Sequence, residues 1–145
     1  MKKIIVTLII VIALLCSIVA YFAPLSLSNA IKKDCNITMI LQEFLIEDGM
    51  PDIRTVNYQN VTDEQKSNIL EILEQYPYKR TLRTPFSTGA MTEFGEYRLS
   101  VYVYSGDEFS GSIVITSSGQ IAVNGKNYHM KNAEALIAQI IDIAE

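Results

Sequence analysis

The longest run of apolar residues stands at the N-terminus and separates two lysines from everything that follows. Ile4 to Ala23 carries no charge over twenty residues, and only Met1, Lys2 and Lys3 precede it. An α-helix needs about twenty apolar residues to cross roughly 30 Å of hydrocarbon. The pattern therefore predicts a transmembrane helix within residues 1–23, with the two lysines on the cytoplasmic side.

Three interpretations of this leader compete. Two leucines precede Cys16, where a lipoprotein requires small residues, so lipid attachment is disfavoured. A cleavable signal peptide has an apolar core of about 7–15 residues before a small-x-small site, and Ser28–Ala30 offers such a site after Pro24. The apolar run is too long for that pattern. We expect an uncleaved, single-pass anchor in the cytoplasmic membrane with the C-terminal domain outside. Secretion after cleavage following Ala30 is the alternative.

The next stretch alternates between helical and extended patterns. Asn36 to Asp48 places its apolar residues at i, i+3, i+4, i+7 and i+8 spacing, which predicts an amphipathic helix ended by a glycine and a proline. Ile53 to Tyr58 is predicted as a short strand. Thr62 opens a capping box, which starts a second helix that ends before Pro77.

From there the period changes to two, which is typical of strands. The predicted strands are Tyr78–Thr84, Glu96–Tyr104, Gly111–Thr116, Ile121–Val123 and Tyr128–Met130. Asn124-Gly125 predicts a tight hairpin turn, because both positions tolerate positive φ. The chain closes with a predicted helix from the cap residue Asn132 to Ala144.

Segregated helices and hairpin-linked strands predict an α+β fold. We expect an N-terminal transmembrane helix, then a small domain with an antiparallel meander sheet covered on one face by about three helices, the last at the C-terminus. The predicted boundaries are an anchor or signal segment at 1–23, a short stalk at 24–35, and one extracytoplasmic domain at 36–145. About 110 residues suffice for one modest core and are too few for two.

Charge limits the class of partner. The chain has 12 basic and 16 acidic residues, and Lys2 and Lys3 precede the leader. The rest therefore holds 10 basic residues against all 16 acidic ones, a net charge of −6. An acidic domain is a poor candidate for binding nucleic acid, which requires a basic surface. We expect no nucleic-acid partner.

The two cysteines do not form a pair within the chain. Cys16 lies inside the apolar run and Cys35 lies beyond it. If the run is a helix within the membrane, the distance between their Cα atoms far exceeds the roughly 7 Å that a disulfide permits. Cys35 is expected to be a free thiol, with a dimer linked through Cys35 as the alternative.

No motif of a known catalytic or metal site occurs. His129 is the single histidine, and no Cys-x-x-Cys accompanies it, so a zinc site is not predicted. The pair Asp107 and Glu108 falls in a predicted turn. We expect no cofactor, no metal and no catalytic residue, and the alternative is a small envelope enzyme with acid–base groups from Asp107, Glu108 or His129.

Two groups of side chains are candidates for binding a partner protein. Arg80 and Arg83 lie with tyrosines in a predicted strand. Arg98, Tyr102 and Tyr104 lie on the face of their strand opposite Leu99, Val101 and Val103. Tyrosine and arginine are enriched at interface hot spots. If helices cover the apolar face, the second group lies on the open face of the sheet.

We expect a membrane-tethered extracytoplasmic binding or regulatory module of the bacterial cell envelope, which contacts an unidentified protein at the outer face of the membrane. The lysine-led leader is typical of bacterial proteins. The layout is similar to that of small Gram-positive envelope proteins, among them immunity proteins that neutralise a secreted toxin. That similarity is one of layout and is carried by no motif. A purely structural envelope component is a further alternative.

Overall fold

The computed structural model describes residues 2–27, 31 and 35–145. In chain order the elements are α1 (Lys2–Tyr21), β1 (Asn36–Glu47), β2 (Met50–Tyr58), α2 (Asp63–Gln75), β3 (Tyr78–Lys79), β4 (Tyr97–Ser105), β5 (Glu108–Thr116), β6 (Gln120–Val123), β7 (Lys126–Met130) and α3 (Ala133–Ala144). The seven strands form one antiparallel sheet in the order β2-β1-β4-β5-β6-β7-β3. The fold is α+β with its last helix at the C-terminus, as predicted.

Helix α1 is long and apolar enough to cross a membrane. Its window Ile4–Tyr21 covers 18 residues with a mean hydropathy of 3.0, and none of it is buried inside the molecule. The apolar run therefore forms the predicted helix, which packs no side chain into the domain core. Length and composition alone also fit a signal anchor.

The predicted helix over Asn36–Asp48 is wrong, because this segment is strand β1. Asp48 and Gly49 have φ values of 52° and 78°, and they form the two-residue turn of the β1–β2 hairpin. Gly49, which the pattern predicts as a helix stop, is thus a hairpin residue. Among the described residues after α1 there are two helices, α2 and α3, where about three were expected.

The core lies between one face of the sheet and these two helices. Leu99 and Val101 of β4 are buried, as are Ile113 and Ile115 of β5. The helices contribute Ile69 and Leu73 from α2 and Ala133, Leu136, Ile137 and Ile140 from α3 to the same cluster. Burying a leucine or isoleucine stabilises the fold by about 1.5–3 kcal/mol, so these contacts hold the helices on the sheet.

The two helix starts differ. Thr62 forms the predicted capping box: its Oγ1 accepts from the Gln65 amide at 3.2 Å, and Gln65 Oε1 accepts from the Thr62 amide at 3.0 Å. Asn132 does occupy the N-cap position of α3, but its backbone is left-handed with φ 58°, and its side chain makes no capping hydrogen bond. The position was predicted correctly and the capping role was not.

The segment after α1 contributes to the core of the domain. Leu27 is fully buried, and Ile31 and Cys35 are also buried in the same cluster. This segment was predicted as a stalk; Leu27, Ile31 and Cys35 pack into the core, whereas Pro24 is exposed. The predicted cleavage site Ser28–Ala30 lies outside the described residues.

Candidate functional site

The side chain of Arg80 contacts the C-terminal end of the apolar helix α1. Its Nη1 donates to the Tyr21 carbonyl oxygen at 3.2 Å, and its guanidinium lies 5.5 Å from the centre of the Tyr21 ring. A cation at a helix C-terminus is stabilised by the helix dipole, and a cation over an aromatic face is attracted by the ring. Arg80 therefore joins α1 to the domain.

The backbone strengthens this junction. Leu25 pairs with Tyr78 of β3 through two hydrogen bonds of 2.8 Å and 3.0 Å. The Tyr21 hydroxyl donates to the carbonyl oxygen of Thr81 at 3.4 Å. The edge of the sheet formed by β3 is thus tied directly to the end of α1.

The strand predicted over Tyr78–Thr84 is wrong in its extent, because β3 contains only Tyr78 and Lys79. Arg80 follows the strand, and Arg83 lies in an exposed turn. These two arginines do not line a strand face.

Arg98, Tyr102 and Tyr104 lie on the face of β4 that points away from α2 and α3. Their neighbours Leu99 and Val101 are buried on the helix side, and alternate strand residues point to opposite faces. A register shift after Val103 lets Tyr104 pair with Phe109, with ring centroids 6.1 Å apart. The aromatic rings are half-buried, except for Phe109, which is 60% exposed.

Part of this second face is covered by the long connection from β3 to β4. Asn127 Nδ2 donates to the Gly89 carbonyl oxygen at 2.6 Å, and the Met91 amide donates to Gln120 Oε1 at 3.3 Å. The connection therefore crosses β7 and β6. Within the described ranges, the buried Nε of Arg98 has no hydrogen-bond partner. The fully exposed part of this face lies on β2, and the neighbouring side chains of β1 and β4 are mostly half-buried, with Ser100 buried.

The five candidate residues therefore form two groups. Arg98, Tyr102 and Tyr104 belong to β4, and Arg80 and Arg83 follow β3 at the sheet edge. Four strand spacings of about 4.8 Å separate those strands, or about 19 Å. A role for each group in binding a partner stays a prediction.

The most exposed strand was predicted in part, as Ile53–Tyr58, but its start at Met50 and its pairing with β1 were not, because β1 was predicted to be a helix. Strand β2 is an edge strand that pairs with β1 alone, and Met50–Asn57 is exposed throughout. Met50 is 72% exposed, Ile53 50% and Val56 48%. Asp48-Gly49 between two apolar stretches was the sequence signal for this hairpin.

The backbone of β2 presents unpaired groups to solvent. Phe44 of β1 exchanges hydrogen bonds with Glu96 and Gly95 on the β4 side, so it cannot bond its β2 neighbour Ile53. In an antiparallel ladder, hydrogen-bonded and non-bonded pairs alternate. Ile53, Thr55 and Asn57 therefore direct their N–H and C=O groups outward. Pro51 shares that orientation, and it has no N–H to leave unpaired.

The candidate acid–base groups do not share a cavity. His129 lines a cleft of about 490 Å³ with Lys79 and Lys131, whereas Asp107 lines another cleft beside Tyr104. In the part of the chain that the structure describes, no three His, Cys, Asp or Glu side chains are grouped to hold a metal ion.

Two tyrosines have perturbed ionisation. Burial raises the pKa of Tyr78, the neighbouring Tyr128 raises it further, and Arg80 opposes both effects. Burial, followed by the charge of Glu145, raises the pKa of Tyr58. Both phenols stay neutral at physiological pH, so they act as packing groups.

The buried position of Cys35 restricts its chemistry. Its side chain is 2% exposed within the core cluster. A disulfide to a second chain requires local opening of that core, and the dimer through Cys35 stays a prediction.

The sequence and structure were compared with known protein families, curated proteins and solved structures. The chain matches no protein-family model, no curated protein and no solved structure at a significant level.

Proposed function

We propose that the protein is a membrane-tethered, extracytoplasmic protein-binding or regulatory module of the bacterial cell envelope, which captures its partner on strand β2 and the adjoining open face of the sheet. The observation that carries this proposal is the free edge of β2, exposed from Met50 to Asn57 and bearing apolar side chains. An exposed edge of this kind is a template for an added strand.

The burial of Leu27 favours an uncleaved anchor over a cleaved signal peptide. Cleavage after Ala30 would remove Leu25, which pairs with the edge strand, and Leu27, which is fully buried. The domain would lose both its edge pairing and a core side chain. Retention of this segment keeps the domain attached to α1.

Charge supports the orientation with the domain outside. Lys2 and Lys3 directly precede the span, whereas its other end is followed by ten uncharged residues before Lys32. Positive residues flanking a span are retained on the cytoplasmic side. The span then places the acidic domain at the outer face.

The backbone and charges of this surface favour one kind of partner. A strand added to β2 would pair with Ile53, Thr55 and Asn57, and apolar residues at alternate positions would pack on the open face next to Ile53 and Phe44. Arg54 of β2 is paired with Glu47, whereas Asp48 and Asp52 add two further carboxylates to this hairpin, so a basic extended segment fits best. A secreted toxin captured by an immunity protein would be one such partner.

Site-specific photo-crosslinking tests the proposal. A photoreactive phenylalanine analogue replaces Ile53 or Tyr102 in the full-length protein in its native membrane, and Glu71, exposed on α2, serves as the control position. We expect one protein to be captured from Ile53 and Tyr102 and not from Glu71. Equal capture at all three positions, or none at any, contradicts the proposal.

A variant separates strand addition from side-chain contact alone. Thr55→Pro removes an outward N–H and leaves the ladder to β1 intact, so capture from Tyr102 should fall severalfold while the domain stays folded. Undiminished capture in Thr55→Pro would refute the edge as the binding element.

A further inference from the structure

One turn beside the end of α1 is unusually apolar for its exposure. Leu82 is 79% exposed, and Phe86 is 89% exposed, the largest fraction among the exposed large apolar residues of the described chain. Both belong to the turn that follows β3, and Arg83 lies between them. Single exposed apolar residues are ordinary, but two on one tight turn next to a transmembrane helix form a patch that needs an occupant.

The turn begins at the depth where the apolar helix ends. The carbonyl oxygen of Thr81 accepts a hydrogen bond from Tyr21, which is also bound by Arg80. Tyr21 closes the apolar window of 18 residues, whose length of about 27 Å nearly matches the roughly 30 Å hydrocarbon core. Tyrosine at that position is typical of the membrane–water interface. Leu82, directly after Thr81, is therefore next to the boundary of the hydrocarbon.

The backbone of the turn is already hydrogen-bonded within itself. The Thr81 amide donates to Thr84 Oγ1 at 2.7 Å, and the Arg83 amide donates to Thr81 Oγ1 at 3.2 Å. The amides of Phe86 and Ser87 both donate to the Arg83 carbonyl oxygen at 2.9 Å. Unpaired backbone groups are what makes entry of a loop into an apolar region costly. Because most of its backbone groups are already hydrogen-bonded, this turn can place its apolar side chains in the bilayer interface at little desolvation cost.

We propose that the Thr81–Ser87 turn is a second membrane contact, in which Leu82 and Phe86 enter the interface of the bilayer that α1 spans. The occupant is lipid because the exposed apolar surface of α1 ends at Tyr21, which the turn contacts. Charge agrees with this assignment. The turn has no acidic residue, and Arg83 stands between the two apolar side chains, where it can meet lipid phosphates.

This contact would fix the orientation of the domain on the membrane. The junction at Arg80 ties the domain to α1, and a second contact beside it would hold the β3 edge against the bilayer. The inference rests on α1 as the anchor and does not depend on strand addition at β2.

The absence of tryptophan allows a clean test. The chain contains no Trp, so Phe86→Trp gives one fluorophore, and Met50→Trp gives a matched control at a residue that is 72% exposed on the opposite edge strand. Each full-length variant is reconstituted in vesicles of phosphatidylcholine and phosphatidylglycerol, with and without brominated acyl chains. We expect Phe86→Trp to emit at shorter wavelength, to be quenched by brominated lipid, and to be about threefold less quenched by aqueous iodide than Met50→Trp, as for an interfacial residue.

A second variant tests the turn itself. Leu82→Asp in the Phe86→Trp background places a carboxylate where the bilayer interface is expected, so quenching by brominated lipid should fall to the level of the Met50→Trp control. Equal quenching of Phe86→Trp and Met50→Trp, whether high or low, would overturn the proposal. So would unchanged quenching in the Leu82→Asp variant.

Discussion

Replacing Leu27 with alanine tests whether the segment after α1 is part of the folded domain. Leu27 is fully buried in the core cluster, although it lies only six residues after the end of α1. The substitution removes a buried apolar side chain worth about 1.5–3 kcal/mol in transfer. The cavity it leaves raises the expected loss to about 3–5 kcal/mol in the free energy of unfolding.

The expected loss from Leu27→Ala is a large part of the total free energy of unfolding. A domain of this size has a total stability of about 5–15 kcal/mol. With a urea dependence of about 2 kcal/mol per molar, Leu27→Ala should lower the unfolding midpoint by about 2 M. The assay is urea unfolding of the full chain in detergent, followed by near-ultraviolet circular dichroism of the tyrosines, because α1 keeps its helix in detergent and would dominate far-ultraviolet signals.

Ile46→Ala is the matched control, because it deletes a side chain of the same size that is 61% exposed. Its midpoint should move by less than about 0.3 M, since surface substitutions change stability by about 0.5 kcal/mol or less. If Leu27→Ala unfolds at the same urea concentration as Ile46→Ala, the segment is a stalk, and the case against cleavage after Ala30 fails with it.

Three further predictions follow from the contacts. Arg80→Gln removes the charge over the Tyr21 ring, worth about 1 kcal/mol, so hydrogen exchange of the Tyr78 amide should accelerate about fivefold; an unchanged rate would mean that the arginine contact does not hold the junction. The raised pKa of Tyr78 favours the neutral phenol in the folded state, so its contribution to stability is present below about pH 10 and is lost as pH rises through the folded pKa. Tyr78→Phe should therefore lose less stability than wild type in urea titrations above that pH, and parallel losses would refute the assignment. Thr55→Pro should cost less than about 1 kcal/mol, whereas Val56→Pro, which removes a ladder N–H, should cost about 1–3 kcal/mol; equal midpoints in the two variants would contradict the outward orientation of Thr55.

The fold class followed from local signals that tertiary packing did not override. The capping box at Thr62 and the Asn124-Gly125 turn, with φ values of 48° and 80°, rest on short-range chemistry that is complete within four residues. The strand predicted over Glu96–Tyr104 has one apolar and one polar face and lies in the interior of the sheet, between β1 and β5. Such strands can be predicted from the sequence because one face is buried and the other is not, so apolar and polar residues alternate.

Strand β1 was misread because it carries apolar residues on both faces. Ile37 and Met39 point to the core, whereas Ile40 and Phe44 occupy the second face, and together they imitate helical spacing. Hydrogen bonds to its two neighbours, β2 and β4, stabilise this segment as a strand. A pattern within a single segment cannot include that contribution.

The candidate site was predictable in part. Alternation along β4 correctly separated Tyr102 and Tyr104 from the core face, because period two holds in any strand. The connection that covers β6 and β7 has no periodicity, and its position depends on long-range contacts such as that between Asn127 and Gly89. Arg80 and Tyr21 are 59 positions apart in the sequence, so a local sequence pattern cannot predict their contact.

The two edges of the sheet differ in a way that suits a tethered binding module. An antiparallel sheet must protect both of its edges from uncontrolled pairing. The β3 edge is protected, because Leu25 pairs with it and α1 is docked beside it. The β2 edge is left open, about 29 Å away across six strand spacings, with Pro51 blunting only its start. A partner strand can therefore add to β2 without displacing any contact that holds the domain to its anchor, whereas addition at β3 would compete with Leu25.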